Sequence, residues 1–131
     1  MPGFNADHAR VIARTAYAPY SGYKIGAAAL FDNAAGAIFY GTNVENASYG
    51  LTICAERVAI FSGVSAGLRT LKAIAISTLD RDNNVVPCFY PCGACLQVMS
   101  EFADVDMDIF LDGVGVFKLR DFLPQQFRLP T

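Results

Sequence analysis

Histidine is nearly absent from this chain: His8 is the only one in 131 residues. A metal centre here has few imidazoles to draw on, and His8 itself reads as a solvated residue of a first helix. Charge is also sparse, at 17% of residues with a formal net charge of −2, and no stretch clusters Lys and Arg. The electrostatic footprint of a polynucleotide binder is therefore missing, so no nucleic-acid polymer is expected as a partner. No apolar run approaches the ~18 residues that would suggest a membrane span, so no membrane partner is expected either. The opening Met1-Pro2-Gly3-Phe4-Asn5-Ala6-Asp7 lacks the basic end and long apolar stretch of a signal peptide. The expected location is cytoplasmic.

What the chain does have is apolar mass, 53% of its residues. Its length suits one domain over residues 1–131, with a core that needs no disulfide staples. The excess of apolar residues fits either a well-filled α/β core or surface reserved for partner subunits. Four cysteines, Cys54, Cys88, Cys92 and Cys95, read in a reducing compartment as metal or catalytic chemistry more readily than as disulfides.

Residues 7–17 read as a helix with Asp7 as N-cap, an Ala9, Ile12, Ala13 and Ala16 stripe, and Pro19 as its stop. Residues 24–31 and 37–41 read as a hairpin around Asp32-Asn33-Ala34-Ala35-Gly36. A polar loop over 43–50 leads to a helix capped by Thr52, running to about Ala66 and ended by Gly67. Residues 71–77 read as a buried strand, 78–91 as a long loop, and 92–102 as a helix. Residues 107–111 and 114–119 complete the pattern as strands flanking an Asp112-Gly113 turn. This order predicts an α/β layer structure, a mixed five-stranded sheet flanked by helices. Its two crossovers should set the Cys54 and Cys92 helices side by side on one face.

Both of those helix beginnings carry thiols, in Thr52-Ile53-Cys54-Ala55-Glu56 and Pro91-Cys92-Gly93-Ala94-Cys95. Free N–H groups and the positive end of the dipole lower thiol pKa values at such places. Cys54, Cys92 and Cys95 can form three corners of a zinc tetrahedron, leaving the fourth open as catalytic sites do. Arg57 is placed to donate hydrogen bonds to ligand sulfurs and to offset their charge. Glu56, two residues after Cys54, can reach the same cleft and act as a proton shuttle. Three other readings stay open on the residues alone. Cys88 can close a four-cysteine structural zinc site, the Cys-x-x-Cys can be a redox pair, and Glu56 can be a first-turn dipole partner.

These motifs, in order, carry a resemblance. Ala16-Tyr17-Ala18-Pro19-Tyr20-Ser21, Asn43-Val44-Glu45-Asn46-Ala47-Ser48-Tyr49, Cys54-Ala55-Glu56-Arg57 and Pro91-Cys92-Gly93-Ala94-Cys95 with Gln97-Val98 are similar to those of zinc-dependent cytidine deaminases. The type is the small-subunit, homotetrameric one, and the likeness runs from about Ala16 to Phe127 through a Leu123-Pro124-Gln125-Gln126-Phe127 ending. The resemblance implies a three-layer cytidine-deaminase-like fold with one zinc per subunit. It implies hydrolytic deamination of cytidine and 2′-deoxycytidine to uridine and 2′-deoxyuridine plus ammonia, as in pyrimidine salvage. In that family zinc-activated hydroxide attacks C4, and Glu56 here would move protons to N3 and to the leaving ammonia. Asn43 and Glu45 would bind the sugar 3′-hydroxyl, and Tyr23 stands where the family usually has phenylalanine against the pyrimidine. Ala47, Tyr49 and Phe127 match positions that complete a neighbouring subunit's site.

The sequence also departs from that pattern. Leu96 stands where the family usually has arginine, the loop before Pro91 is longer, and Cys88 is extra. A modified cytidine or a cytosine-nucleoside antibiotic is the alternative substrate, and a non-enzymatic structural-zinc module is the alternative class. A polynucleotide-editing deaminase would need a parallel final strand reached through a helix, whereas Asp112-Gly113 predicts a direct hairpin. Replacing Cys88 by Ser separates enzyme from module. Retained zinc by metal analysis, with retained turnover, is the expected result; loss of the metal would support the module.

Overall fold

Small residues at the centre of a sheet let helices approach it from both sides, and β1 (Lys24–Phe31) is built that way, with Gly26, Ala27, Ala28 and Ala29 in succession. The computed structural model describes residues 3–87 and 89–130; Cys88, read above as an extra cysteine or a fourth zinc ligand, lies outside the described residues. α1 (Asp7–Ala13) precedes β1, which turns back into β2 (Ile38–Thr42). Then follow α2 (Ala55–Ser65), β3 (Leu71–Leu79), α3 (Gly93–Phe102), β4 (Ala103–Leu111), β5 (Gly115–Lys118) and the short α4 (Leu119–Phe122). The strands form one mixed sheet in the order β2-β1-β3-β4-β5, with β3 and β4 parallel and the other neighbours antiparallel. The last two strands make the direct hairpin expected from Asp112-Gly113.

Side chains of β1 alternate between two cores. Ala27, Ala29 and Phe31 join Ala59 and Ile60 of α2, Met99 of α3 and Leu119 of α4 on one side. Ala28 and Leu30 meet Phe4 and Ala9 of the first helix region on the other. The α2 and α3 helices thus share one face, as expected, and α1 covers the opposite one. Two glycines set how closely the helices lie. A Cβ on Gly41 of β2 would sit 2.6 Å from the Ala55 carbonyl oxygen of α2. A Cβ on Gly26 would sit 2.6 Å from the Ala13 amide nitrogen of α1. No side chain fits between backbones that close, so the seat of α2, and with it Glu56, depends on Gly41.

Several boundaries differ from expectation. α1 stops at Ala13 rather than running to Tyr17, because Tyr17 joins a bridge to Val44, donating to the Asn43 carbonyl and accepting from the Glu45 amide. Its N-cap is Ala6, with Asp7 as the first-turn acid. β4 begins at Ala103, not Met107; Asp104, Val105 and Asp106 are all exposed, and buried positions alternate only from Met107 on. Residues 119–122 form a helical turn, its amide at Lys118 accepted by Asp121 at 2.8 Å.

One ionic contact ties the two ends of this architecture. Arg10 of α1 donates from Nε and Nη2 to the two oxygens of Asp112 at 2.8 and 2.7 Å. Ser77 of β3 adds a third hydrogen bond to the same carboxylate at 2.7 Å. Burial alone would raise the Asp112 carboxyl, but the bonds from Arg10 and Ser77 outweigh it and hold the group below its ordinary value. A depressed carboxyl contributes stability above its unfolded-state pKa and loses it as pH falls through the folded value. Asp112→Asn is therefore expected to cost about 2 kcal/mol at pH 7, less than for a fully buried pair because Arg10 is part-exposed. In urea melts from pH 7 to pH 2, the gap between the two proteins should close below about pH 4. A gap of constant size would rule the ion pair out as its source.

Candidate metal centre

Cysteine occupies the N-cap position of both helices on the shared face. Cys54 precedes α2 at φ −78°, ψ 149°, and Cys92 precedes α3 at φ −75°, ψ 164°, both extended backbone. Their carbonyls accept the first helical hydrogen bonds, from Val58 and Leu96. Their thiols stand where a serine or aspartate would ordinarily cap, which is why the expected Thr52 cap is not used. Cys95 lies one turn into α3 and is fully buried, while Cys54 is half-buried and Cys92 exposed.

The three sulfurs lie within 4.8 Å of one another, and among the described residues no other His, Cys, Asp or Glu set converges in this way. Cys54 and Cys92 Sγ are 3.9 Å apart, and Cys92 and Cys95 Sγ 3.5 Å. A tetrahedral zinc with bonds of about 2.3 Å spaces its sulfurs roughly 3.8 Å apart, so the donor set fits that ion in number, type and spacing. One zinc per subunit occupies such a site, with three protein ligands and one position left for a small molecule.

The surroundings favour thiolate. Arg57 Nη2 donates to Cys54 Sγ at 3.4 Å, and Arg57 Nε is buried with no other partner. The Cys54 thiol is pushed down to about 5, first by the hydrogen bond from Cys95 and then by Arg57. Cys95 moves in the opposite direction, because it donates to Cys54 and is itself buried. A metal binds both as thiolates, displacing the Cys95 proton, and removes that difference.

Glu56 is 5% exposed and belongs to the buried stripe of α2 with Ala55, Ala59, Ile60 and Gly63. Desolvation, with the Cys54 charge as a smaller cause, pushes its carboxyl up to about 7. Its side chain, with Cys54 and Cys92, faces a cavity of about 300 Å³. Asn43, Glu45 and Tyr23 line the same cavity.

The polar pair does more than line it. Asn43 Oδ1 accepts from the Ile25 amide at 2.8 Å, and its Nδ2 donates to the Tyr23 carbonyl at 2.9 Å. Glu45 accepts from the Tyr20 and Ser21 amides at 2.9 and 3.1 Å and from the Ser21 hydroxyl at 2.5 Å. The Glu45 carboxyl is held below its ordinary value by the Ser21 and Tyr20 bonds, against the effect of its own burial. Asn43 keeps a second N–H and Glu45 keeps unused lone pairs, so both remain able to bind a ligand.

Ala47, Tyr49 and Phe127 lie outside this cavity and are exposed, Tyr49 at 76% and Phe127 at 66%. Leu96, in the position noted above for its departure, is buried in the main core. Phe89 and Tyr90 on the cavity wall were missed as site residues by sequence reasoning, which marked their loop only by its length. His8 lies away from the centre, stacked on Phe4 at 5.3 Å.

The family model described as "Cytidine and deoxycytidylate deaminase zinc-binding region" matches residues 5–110. A cytidine deaminase of Sporosarcina psychrophila is 45% identical over 96 residues, 73% of this chain. That match spans about two-thirds of the relative, 65% of its length. A Mycobacterium tuberculosis cytidine deaminase is 40% identical over 114 residues, 87% of this chain and 80% of that one. The crystal structure of cytidine deaminase from Burkholderia pseudomallei superposes with a TM-score of 0.80 at 41% identity, covering 93% of this chain and 95% of that one.

Removal of the guanidinium tests the role of Arg57 at the sulfurs. Arg57→Ala should lower zinc affinity about 10- to 100-fold in competition with a chromogenic chelator, the usual effect of losing a group that supports metal ligands. Affinity equal to that of the parent would show that the Arg57 bond to Cys54 contributes nothing to the metal.

Proposed function

The chain belongs to the zinc-dependent cytidine and deoxycytidylate deaminase family, and on that premise we propose that it hydrolyses the 4-amino group of cytidine and 2′-deoxycytidine. The products are uridine or 2′-deoxyuridine and ammonia. The observation that carries this reading is the buried Glu56 facing a small cavity whose wall also presents Cys54 and Cys92. Zinc held by Cys54, Cys92 and Cys95 supplies the Lewis acidity that makes water nucleophilic near neutral pH. Glu56 does the proton work. It accepts a proton from the water that adds to C4, delivers it to ring N3, and carries the second water proton to the departing amine. Each product atom is thereby accounted for, with no net proton left on the carboxyl.

The rest of the cavity orients the nucleoside. Asn43 and Glu45 hydrogen-bond the 3′-hydroxyl with the capacity left after their backbone bonds, and Tyr23 packs against the pyrimidine. Arg57 is a positioning residue that acts through the ligand sulfurs. Residues 1–131 work as one catalytic domain, in the cytoplasm and in pyrimidine salvage. The subunits associate as a homotetramer in which Ala47, Tyr49 and Phe127 complete the site of a neighbouring copy. Exposure of two large aromatics outside their own cavity supports that arrangement, since solvated Tyr and Phe at loop positions gain most from a partner surface. Among the described residues no helix is long and apolar enough to cross a membrane.

Ultraviolet-monitored turnover of cytidine and deoxycytidine by zinc-replete protein tests the reaction. Glu56→Gln should reduce the rate by about 10²- to 10⁴-fold while zinc content stays at that of the parent. Absence of turnover of both nucleosides by the zinc-loaded parent would overturn the proposed substrate.

A further inference from the structure

Residues 80–91 link β3 to α3 and end beside a zinc ligand. The first part of this loop is a braced turn. Asp80 Oδ1 accepts from the amides of Asp82 and Asn84, both at 2.9 Å, around Asn83 in a left-handed conformation of φ 64°. Lys24 Nζ of β1 donates to Asn83 Oδ1, and the Val86 amide donates to the Thr78 carbonyl at 2.8 Å. The last part is braced by aromatic packing, with the Tyr90 ring 6.1 Å from Phe117 and 5.8 Å from Phe122. Phe89 is therefore presented between two anchored stretches.

Its ring meets the Tyr23 ring at a centroid distance of 4.8 Å and a tilt of 51°, and both rings line the cavity that holds Glu56 and Cys92. The Tyr23 backbone is held in place, its carbonyl accepting from Asn43 Nδ2 at 2.9 Å. The two rings form an aromatic wall to a cavity of about 300 Å³, at the small end of ligand pockets. For any pyrimidine hydrolysed here, the 4-position must lie beside Glu56 and the sulfurs. Phe89 stands three positions before Cys92 and lines the same cavity, so its ring bounds the space open to a group on the exocyclic nitrogen.

We infer that Phe89 is a specificity-determining residue, whose ring limits the size of the substituent that a cytosine nucleoside can carry on its exocyclic 4-nitrogen. This rests on the deaminase reading above and adds to it a substrate class that is excluded, the N4-alkylated cytosine nucleosides. Tyr23 sets the other side of the wall, and the braces at residues 80–86 and at Tyr90 hold the loop on either side of Phe89.

Calorimetric binding in a zinc-loaded Glu56→Gln background separates recognition from turnover. The Glu56→Gln protein should bind cytidine at least tenfold more tightly than N4-butylcytidine. Adding Phe89→Ala should shrink that ratio about tenfold or more, with Phe89→Leu intermediate and Phe89→Tyr unchanged. A ratio that stays within twofold of the parent in both Phe89→Ala and Phe89→Leu would overturn the inference and leave the deaminase reading standing. If Phe89→Ala loses zinc or its melting transition, the ratio in Phe89→Leu decides by the same criterion. Binding of neither nucleoside by the zinc-loaded Glu56→Gln protein would overturn the deaminase reading, and this inference with it.

Discussion

Three sulfurs gathered within 4.8 Å would repel one another as the thiolates a metal requires, and the shared face of the sheet is arranged to make that gathering tolerable. Two helix N-termini point their free amides and positive dipole ends at the same place, and Arg57 adds a full positive charge against Cys54. A zinc ion completes the neutralisation. The parallel pairing of β3 with β4 follows from the same demand, because a crossover through α3 delivers Cys92 to the end of the sheet where Cys54 already stands. The close approach of α2 to Gly41 fixes the remaining freedom, so that Glu56 is buried beside the sulfurs rather than solvated on an outer turn.

The loop residues Asn43 and Glu45 both line the cavity and hold its wall together. Each spends about half of its hydrogen-bonding capacity on backbone amides and carbonyls between residues 20 and 25. That segment has few regular ladder bonds of its own, and the two side chains substitute for them. The polar groups that face the cavity are thus also the pegs that give it a wall.

Much of this was legible in the sequence, and the misses have physical reasons. β1 runs over the residues its apolar run indicated, and the metal ligands were marked by their places at helix starts. α1 was read too long because Ala16 continues its stripe, whereas the Tyr17 bridge to Val44 is a tertiary contact that local pattern does not contain. The first four residues of β4 carry no strand signal because Asp104, Val105 and Asp106 are all exposed, so alternation sets in only at Met107. α4 spans four residues, too few for a helical period to register. Phe89 escaped notice because its importance lies in which ring it meets, and Tyr23 is 66 positions away in the chain (89 − 23).

The clamp between Arg10 and Asp112 joins residues 102 apart, so it has a bearing on the order of events during synthesis. A ribosome releases the first helix long before the turn between β4 and β5 exists. Until then, α1 can rest its alanines only against strands that are themselves still assembling, with its guanidinium in water. Contacts this distant along the chain are late and slow to form, because the intervening segment must first be ordered. The α1 helix is thus made long before the contact that clamps it, and a nascent chain halted short of residue 112 would hold that helix by its alanine packing alone.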